Sequence, residues 1–291
     1  MIKLSKKEWL QHFLDWAKSQ ADIQAVALIG SAARLDHPAD EWSDYDLIVV
    51  ASNPQIYLAS TEWLDNLGRT WCSLREKTST GEAIEWRVLF EGGIDIDFII
   101  VSVDNAHLGF QNMPMVLEIS QRGRKVLWDR DNVLSEISAS SIITQTAYPP
   151  SSQQFLDIVN DFWFHVAWTA KKLRRGELWI AKKCCDTYLK DLLLRMMEWE
   201  AQSVNGGKVD TWFDGRFLEQ WALPKTVAEL CQVFAYYDTE DVWRALEATM
   251  KIFQQIAQET ATLLGYTYPL ESAKCVSDWV SRVRTNDGSS G

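Results

Sequence analysis

Residues 30–50 read GSAARLDHPADEWSDYDLIVV. The apolar run Ala25–Ile29 just before them has the length and character of a buried strand, and it ends at Gly30-Ser31. Asp36–Ser43 is polar and contains Pro38, which predicts a loop. A second strand, Tyr45–Val50, opens on Asp44-Tyr45-Asp46. Residues i and i+2 of a strand face the same side, so Asp44 and Asp46 present two carboxylates together. Adjacent carboxylates repel unless a cation lies between them. A hard ion such as Mg²⁺ suits that place, because it takes one or two carboxylates together with substrate phosphates. Gly30 lets a phosphate approach the backbone closely. Ser31 adds a hydroxyl and an N–H, and the helix-compatible Ala32–Leu35 predict amides at a helix N-terminus, a natural phosphate cradle.

A third carboxylate is expected from a neighbouring strand. Ile84–Phe90 and Ile94–Val103 flank Gly92-Gly93, a hairpin signal. The second arm carries Asp95 and Asp97 on one face of an otherwise apolar segment. Asp97, between Ile96 and Phe98, lies deeper, and a charge there invites a metal or a partner. Asp95 sits beside the turn and is expected to be solvated. The plain alternatives are a loop cap for Asp44 and an Asp97–Arg87 salt bridge across the hairpin. Around this core, Lys6–Ser19 has helical spacing with Ser5 as its cap. Leu58–Leu67 is expected to be a helix, as is Asp104–Gly123 with an interruption at Pro114. Val126–Trp128 is expected to add a short strand.

After Ser138–Ser152, rich in Ser and Thr and ending in Pro149-Pro150, the pattern changes to long helices. These are expected over Gln153–Arg175, Trp179–Ser203, Lys225–Val233 and Thr239–Leu264. The fold class is therefore α+β. A domain with a small mixed sheet and helices spans 1–148, an all-helical bundle spans 149–285, and 286–291 is a disordered tail.

Composition narrows the function. Of 291 residues, 47% are apolar and 24% charged, a globular balance, and the formal net charge is −11. Such a chain repels a phosphate backbone, so nucleic acid is a poor partner and a metal or cationic small molecule a better one. Five cysteines lack Cys-x-x-Cys spacing, which excludes a disulfide framework or zinc site and predicts mostly buried thiols. His12, His37, His107 and His165 show no ligand spacing. No stretch is apolar enough to span a membrane, and no signal-peptide pattern opens the chain, so a cytoplasmic protein is expected. Most of the fifteen Trp are expected in the core, Trp163, Trp168, Trp179, Trp199, Trp212 and Trp221 in the helical half among them. Glu198, Glu200, Asp210 and Asp214 read as a solvated face that would also receive a cation.

The order of strand, Gly-Ser, Asp-x-Asp strand, hairpin and Asp-bearing strand resembles the nucleotidyltransferase superfamily of DNA polymerase beta and the kanamycin nucleotidyltransferases. A closer resemblance is to the aminoglycoside 6-adenylyltransferases, which modify streptomycin. WSDYDLIVV is similar to their metal-binding strand, and GGIDIDFIIV to the segment bearing their third Asp, in register with Asp97. KVLWDRDNVL and NDFWFHVAWTAKKLRRGELWIAKK extend the resemblance into both halves. The family has Arg directly after Gly-Ser; here Ala32 and Ala33 intervene before Arg34.

The resemblance implies transfer of AMP from ATP to an acceptor hydroxyl with release of pyrophosphate. Asp44, Asp46 and Asp97 would hold Mg²⁺, and Gly30, Ser31, Arg34 and Lys171 would contact the nucleotide. Asp161 stands where the family has a Glu and is a candidate base, in competition with Asp97 and Glu85. Asp161 and Lys171 are ten residues apart, about a quarter turn from one face of a helix, and so would border one cleft. Two other readings stand beside this one. One is the same fold acting on another small molecule, a protein or RNA. The other is a non-catalytic nucleotide-binding regulator.

Overall fold

A computed structural model describes residues 5–34, 39–77, 84–135, 149–211 and 213–285. The Ser/Thr-rich boundary up to Tyr148, His37, Trp212 and the 286–291 tail therefore lie outside the described residues. The chain divides into two compact units, 1–143 and 144–291.

Among the described residues the first unit is built on six strands: β1 (Ile23–Ile29), β2 (Tyr45–Ala51), β3 (Thr70–Lys77), β4 (Ile84–Phe90), β5 (Ile94–Ser102) and β6 (Arg124–Asp129). Their order is β3-β4-β5-β2-β1-β6. Only β2 and β5 pair in parallel; the other neighbours are antiparallel. Alternation along the central strands splits the apolar side chains between two faces. On one face, Leu47, Val49, Ile96, Phe98 and Ile100 pack with Trp9, Phe13 and Trp63. Trp9 and Phe13 come from α1 (Lys6–Ser19), which a Ser5–Glu8 capping box fixes at its start. On the other face, Ala25, Ala27, Ile48, Val50, Ile99 and Val101 pack with Ala106, Phe110, Met113 and Val116. Ala106 lies on α3 (Val103–His107) and Val116 on α4 (Pro114–Arg122). Pro114 does not interrupt a helix: it occupies the first turn of α4, where its missing N–H costs nothing.

Two further departures have local causes. The segment expected as a helix over Leu58–Leu67 is a short α2 (Gln55–Leu58) followed by a 3-10 turn, Glu62–Asn66. The Tyr57 carbonyl accepts the indole N–H groups of Trp63 at 3.1 Å and Trp86 at 2.9 Å. A continuous helix would commit that carbonyl to a backbone N–H. β3 had no counterpart in the sequence reading. It is an edge strand whose residues after Thr70 are all exposed, so it lacks the half-buried alternation that marks a strand.

The second unit is helical: α5 (Ser152–Arg174), α6 (Leu178–Lys183), α7 (Leu189–Val204), α8 (Leu218–Trp221), α9 (Pro224–Glu229), α10 (Thr239–Leu264) and α11 (Leu270–Thr285). The helix expected over Trp179–Ser203 is interrupted by a π turn, Cys184–Tyr188, between α6 and α7. Lys225–Val233 resolves into α9 and a 3-10 turn, Leu230–Gln232. α11 was not anticipated; only Ala273 and Val280 on it are fully buried, so its apolar stripe is thin. The core joins Phe155, Phe162, Met196, Leu246 and Phe253, with the Phe162 and Phe253 rings stacked at 3.6 Å. Trp163, Trp199 and Trp221 are in that core, whereas Trp179 is 71% exposed. Cys184 and Cys185 are buried, but Cys72, Cys231 and Cys275 are exposed, which corrects the expectation of mostly buried thiols. Among the described residues no helix is long and apolar enough to cross a membrane.

Candidate active site

Register gathers the carboxylates. Asp46 on β2 pairs directly with Asp97 on β5, and Asp97 pairs with Arg87 on β4. Paired residues share a face, so β4, β5 and β2 display a polar row on the side that carries Ile48, Val50, Ile99 and Val101 farther along. Asp44, two residues before Asp46, joins it. One carboxylate oxygen from each of Asp44, Asp46 and Asp97 lies within 4.8 Å of the others, a spacing that a single metal ion spans. Asp97 is 7% exposed while Asp44 and Asp46 are partly buried; Asp95 is exposed.

Asp97 also forms the cross-strand ion pair with Arg87, Nε to Oδ2 at 3.4 Å. The same guanidinium reaches Glu85 at 3.2 Å and Glu76 at 3.4 Å. The salt bridge and the acidic cluster therefore coexist. Burial pushes the Asp97 carboxyl up to about 7, against the pull of Arg87 and with the help of Glu85, Asp44 and Asp95. One guanidinium does not neutralise this crowd of carboxylates, and the site is chemically suited to a further cation. Its all-oxygen donor set matches Mg²⁺.

Gly30 stands against Asp46, and Ser31 follows it. Gly30 has φ +65°, and a Cβ there would lie 2.1 Å from Asp46 Oδ2. The position thus demands glycine twice, for its backbone and for the carboxylate beside it. Ser31 is buried, and its hydroxyl has no hydrogen-bond partner among the described residues. A buried orphan hydroxyl beside a carboxylate cluster is what a phosphate oxygen would satisfy. The expected helix N-terminus is absent: Gly30–Ala33 is a single 3-10 turn and Arg34 is already extended. Gly123, at the end of α4, explains part of this. A Cβ on it would meet the Ala33 carbonyl oxygen at 2.9 Å, so backbone packs on backbone and holds the turn. Arg34 is partly buried directly after it.

Sequence reasoning missed Lys6. Its ammonium lies 4.5 Å from the Tyr45 ring centroid. Burial lowers its pKa, opposed by Asp44, Asp95, Asp40 and Asp46. Only its position at the start of an amphipathic helix was visible in the sequence; its neighbourhood is tertiary.

The remaining candidates lie in the helical unit. The Asp161 carboxylate accepts from the Tyr188 hydroxyl at 2.8 Å and lies 2.6 Å from His165 Nδ1. The His165 and Tyr188 rings are 4.3 Å apart, and the π turn ends on Tyr188. Lys171 has other neighbours: its ammonium is 5.6 Å from the Trp279 ring on α11. Asp161 and Lys171 thus have different side-chain neighbours. Glu198 and Glu200 are buried, not a solvated face. Glu198 pairs with Arg195 at 3.0 Å and Glu200 with Lys225 at 3.6 Å. Glu198 and Asp214 line a cavity of about 200 Å³ with Asp191, Arg195 and Thr211, and Asp210 and Glu200 are not part of it.

Comparison with known proteins adds an independent line. Residues 4–283 match the family model described as streptomycin adenylyltransferase. An aminoglycoside 6-adenylyltransferase of Bacillus subtilis (strain 168) is 23% identical over 91% of this chain and 93% of its own length. One of Campylobacter jejuni is 25% identical over 98% and 97%. The crystal structure of an aminoglycoside 6-adenyltransferase from Bacillus subtilis covers 97% of this chain and 99% of its own at 20% identity, with a TM-score of 0.46.

Proposed function

The chain belongs to the streptomycin adenylyltransferase family of nucleotidyltransferases, and on that premise we propose that it transfers AMP from ATP to a hydroxyl of an aminoglycoside such as streptomycin. The observation that carries this reading is the convergence of Asp44, Asp46 and Asp97, within 4.8 Å of one another, beside Gly30 and the orphan Ser31 hydroxyl. Asp44, Asp46 and Asp97 would hold Mg²⁺, which when bound offsets triphosphate charge and orients the α-phosphorus. Ser31 donates its hydroxyl to a phosphate oxygen, and Gly30 leaves room for the Asp46 carboxylate beside it. Arg34, next along the chain, fits a contact to the leaving phosphates.

The acceptor oxygen forms a bond to the α-phosphorus, the bond from that phosphorus to the bridging oxygen breaks, and pyrophosphate leaves. The acceptor's proton passes to a carboxylate. Of the three candidates, Asp97 is engaged in the cluster, and Asp161 accepts from the Tyr188 hydroxyl with His165 Nδ1 2.6 Å away. Glu85, buried on the same face and outside the three-carboxylate cluster, is the candidate we assign as base, with its carboxylate held 3.2 Å from Arg87 Nε. Asp161, among Tyr188, His165 and Trp168, suits an ammonium or guanidinium group of the acceptor, held by charge and by aromatic faces. The net charge of −11 favours such a polycation.

The test is transfer of label from α-labelled ATP to a panel of aminoglycosides with Mg²⁺. Labelled streptomycin is expected. Label on no aminoglycoside sinks the acceptor assignment, and absence of Mg²⁺-dependent ATP binding sinks the donor side.

A further inference from the structure

The C-terminal end of α5 and the facing side of α11 line an open cavity of about 480 Å³. Trp168, Lys171, Lys172, Arg174 and Arg175 line it from one side, Trp279 and Val283 from the other. Four cations around one cavity run against the charge of a chain at −11. A helix C-terminus attracts cations by itself, but only along its last turn and with no preference for aromatic neighbours. Here the cations are organised. The Lys171 ammonium stands 5.6 Å from the Trp279 ring and the Lys172 ammonium 5.2 Å from the Trp168 ring. Each helix therefore contributes an indole wall with an ammonium on it. Glu177 pairs with Lys172 and with Arg175, and both hold its carboxyl below the usual range, Lys172 most strongly. That carboxylate braces two of the cations at the rim.

The volume falls in the range of small-molecule sites. Indole faces take a flat aromatic ring, and clustered Lys and Arg take phosphate oxygens. We propose that this cavity is a second, metal-independent anion site, which binds a nucleotide with its base against the tryptophans and its phosphates on Lys171, Lys172 and Arg175. The cations, two of them shared with Glu177, supply there the positive charge that Asp44, Asp46 and Asp97 can supply only through a metal. The inference stands apart from the proposed transfer reaction: it assigns Lys171, which the resemblance set among the nucleotide contacts of that reaction, to a separate site.

The test is calorimetric titration with ATP in excess EDTA, on wild type and on an Asp44→Asn/Asp46→Asn variant, which disables the metal site. Saturable binding of similar affinity in both is expected. It should weaken at least tenfold in Lys171→Met/Lys172→Met and in Trp279→Ala, with far-UV circular dichroism unchanged. Inorganic tripolyphosphate should bind at least tenfold more weakly than ATP. The proposal is overturned by no saturable binding in EDTA, or by binding indifferent to the lysine pair. It is also overturned by binding that vanishes with Asp44 and Asp46, or by tripolyphosphate binding as well as ATP. Should a variant unfold, Trp279→Phe, which keeps a ring, replaces Trp279→Ala and must lose less than tenfold. Mg²⁺-dependent transfer by wild type is read separately, so failure of either reading leaves the other visible.

Discussion

Asp97 and Glu200 are both buried carboxyls that desolvation pushes up to about 7, one in each unit. Their neighbours differ. Glu200 lies 3.6 Å from Lys225, whose ammonium also pairs with Glu259. The chain thus places its own cation between two carboxylates. Asp97 has Arg87 on one side at 3.4 Å, while Asp44 and Asp46 bring two further carboxylates within 4.8 Å of it, close enough to Lys6 for their charge to act on its ammonium. A buried carboxylate pair that shares one lysine is architecture; three carboxylates gathered on one spot are arranged for a metal ion. The 1% exposure of Glu200 shows that burial alone does not separate the two cases.

The largest expected difference is in activity. Asp46→Asn should lower AMP transfer by about 10²–10³-fold or more, as measured by pyrophosphate release. Glu200→Gln should leave it unchanged. A fall in both would mean that Glu200 belongs to the site after all.

Glycine offers a second contrast. Gly30→Ala forces a positive φ on alanine and drives its Cβ into Asp46, so a loss of about 1–3 kcal/mol and of Mg²⁺ binding is expected. Gly265→Ala, at φ +71° with nothing within 4 Å, carries only the backbone cost, about 1–2 kcal/mol. Thermal melts with and without Mg²⁺ separate them, because only Gly30→Ala should lose the metal-induced shift.

The third contrast is in pH. Both carboxyls titrate above their unfolded values near 4. The fold favours their protonated forms, so each contributes stability that is fully present below about pH 4 and lost as pH climbs through about 7. Melting temperatures in EDTA should fall over that window, with smaller slopes in Asp97→Asn and Glu200→Gln. Mg²⁺ should remove the Asp97 share and leave the Glu200 share. A slope that Mg²⁺ does not change would break the distinction.

The smallest effect is expected at Tyr188→Phe, which removes one hydrogen bond to Asp161. A rise in the acceptor KM equivalent to about 0.5–1.5 kcal/mol is expected, with the ATP KM unmoved. A changed ATP KM would place Asp161 with the nucleotide instead.

Much of this was legible beforehand. The Asp-x-Asp spacing, the Gly-Gly turn and the apolar run around Asp97 needed only strand periodicity, and β2, β4 and β5 lie where it placed them. The 3.6-residue rhythm gave α5 and α10. β3 and α11 escaped because they bury too little to leave a pattern. The 3-10 turn after Gly30 escaped because Gly123, more than ninety residues later, packs on Ala33. Lys6 beside the acidic cluster and Trp279 over Lys171 join residues far apart in the chain, and no local signal announces such pairs.

By itself, then, the sequence determined which carboxylates share a face, where glycine interrupts a strand, and that a sheet-bearing half precedes a helical one. These follow from periodicity and backbone stereochemistry, which act over a few residues. Tertiary structure decided that Asp46 and Asp97 are register partners, that Arg87 answers only part of their charge, and that Asp161 and Lys171 turn to different neighbours. Those outcomes depend on strand register and helix packing, and both are set by contacts between residues that the chain keeps far apart.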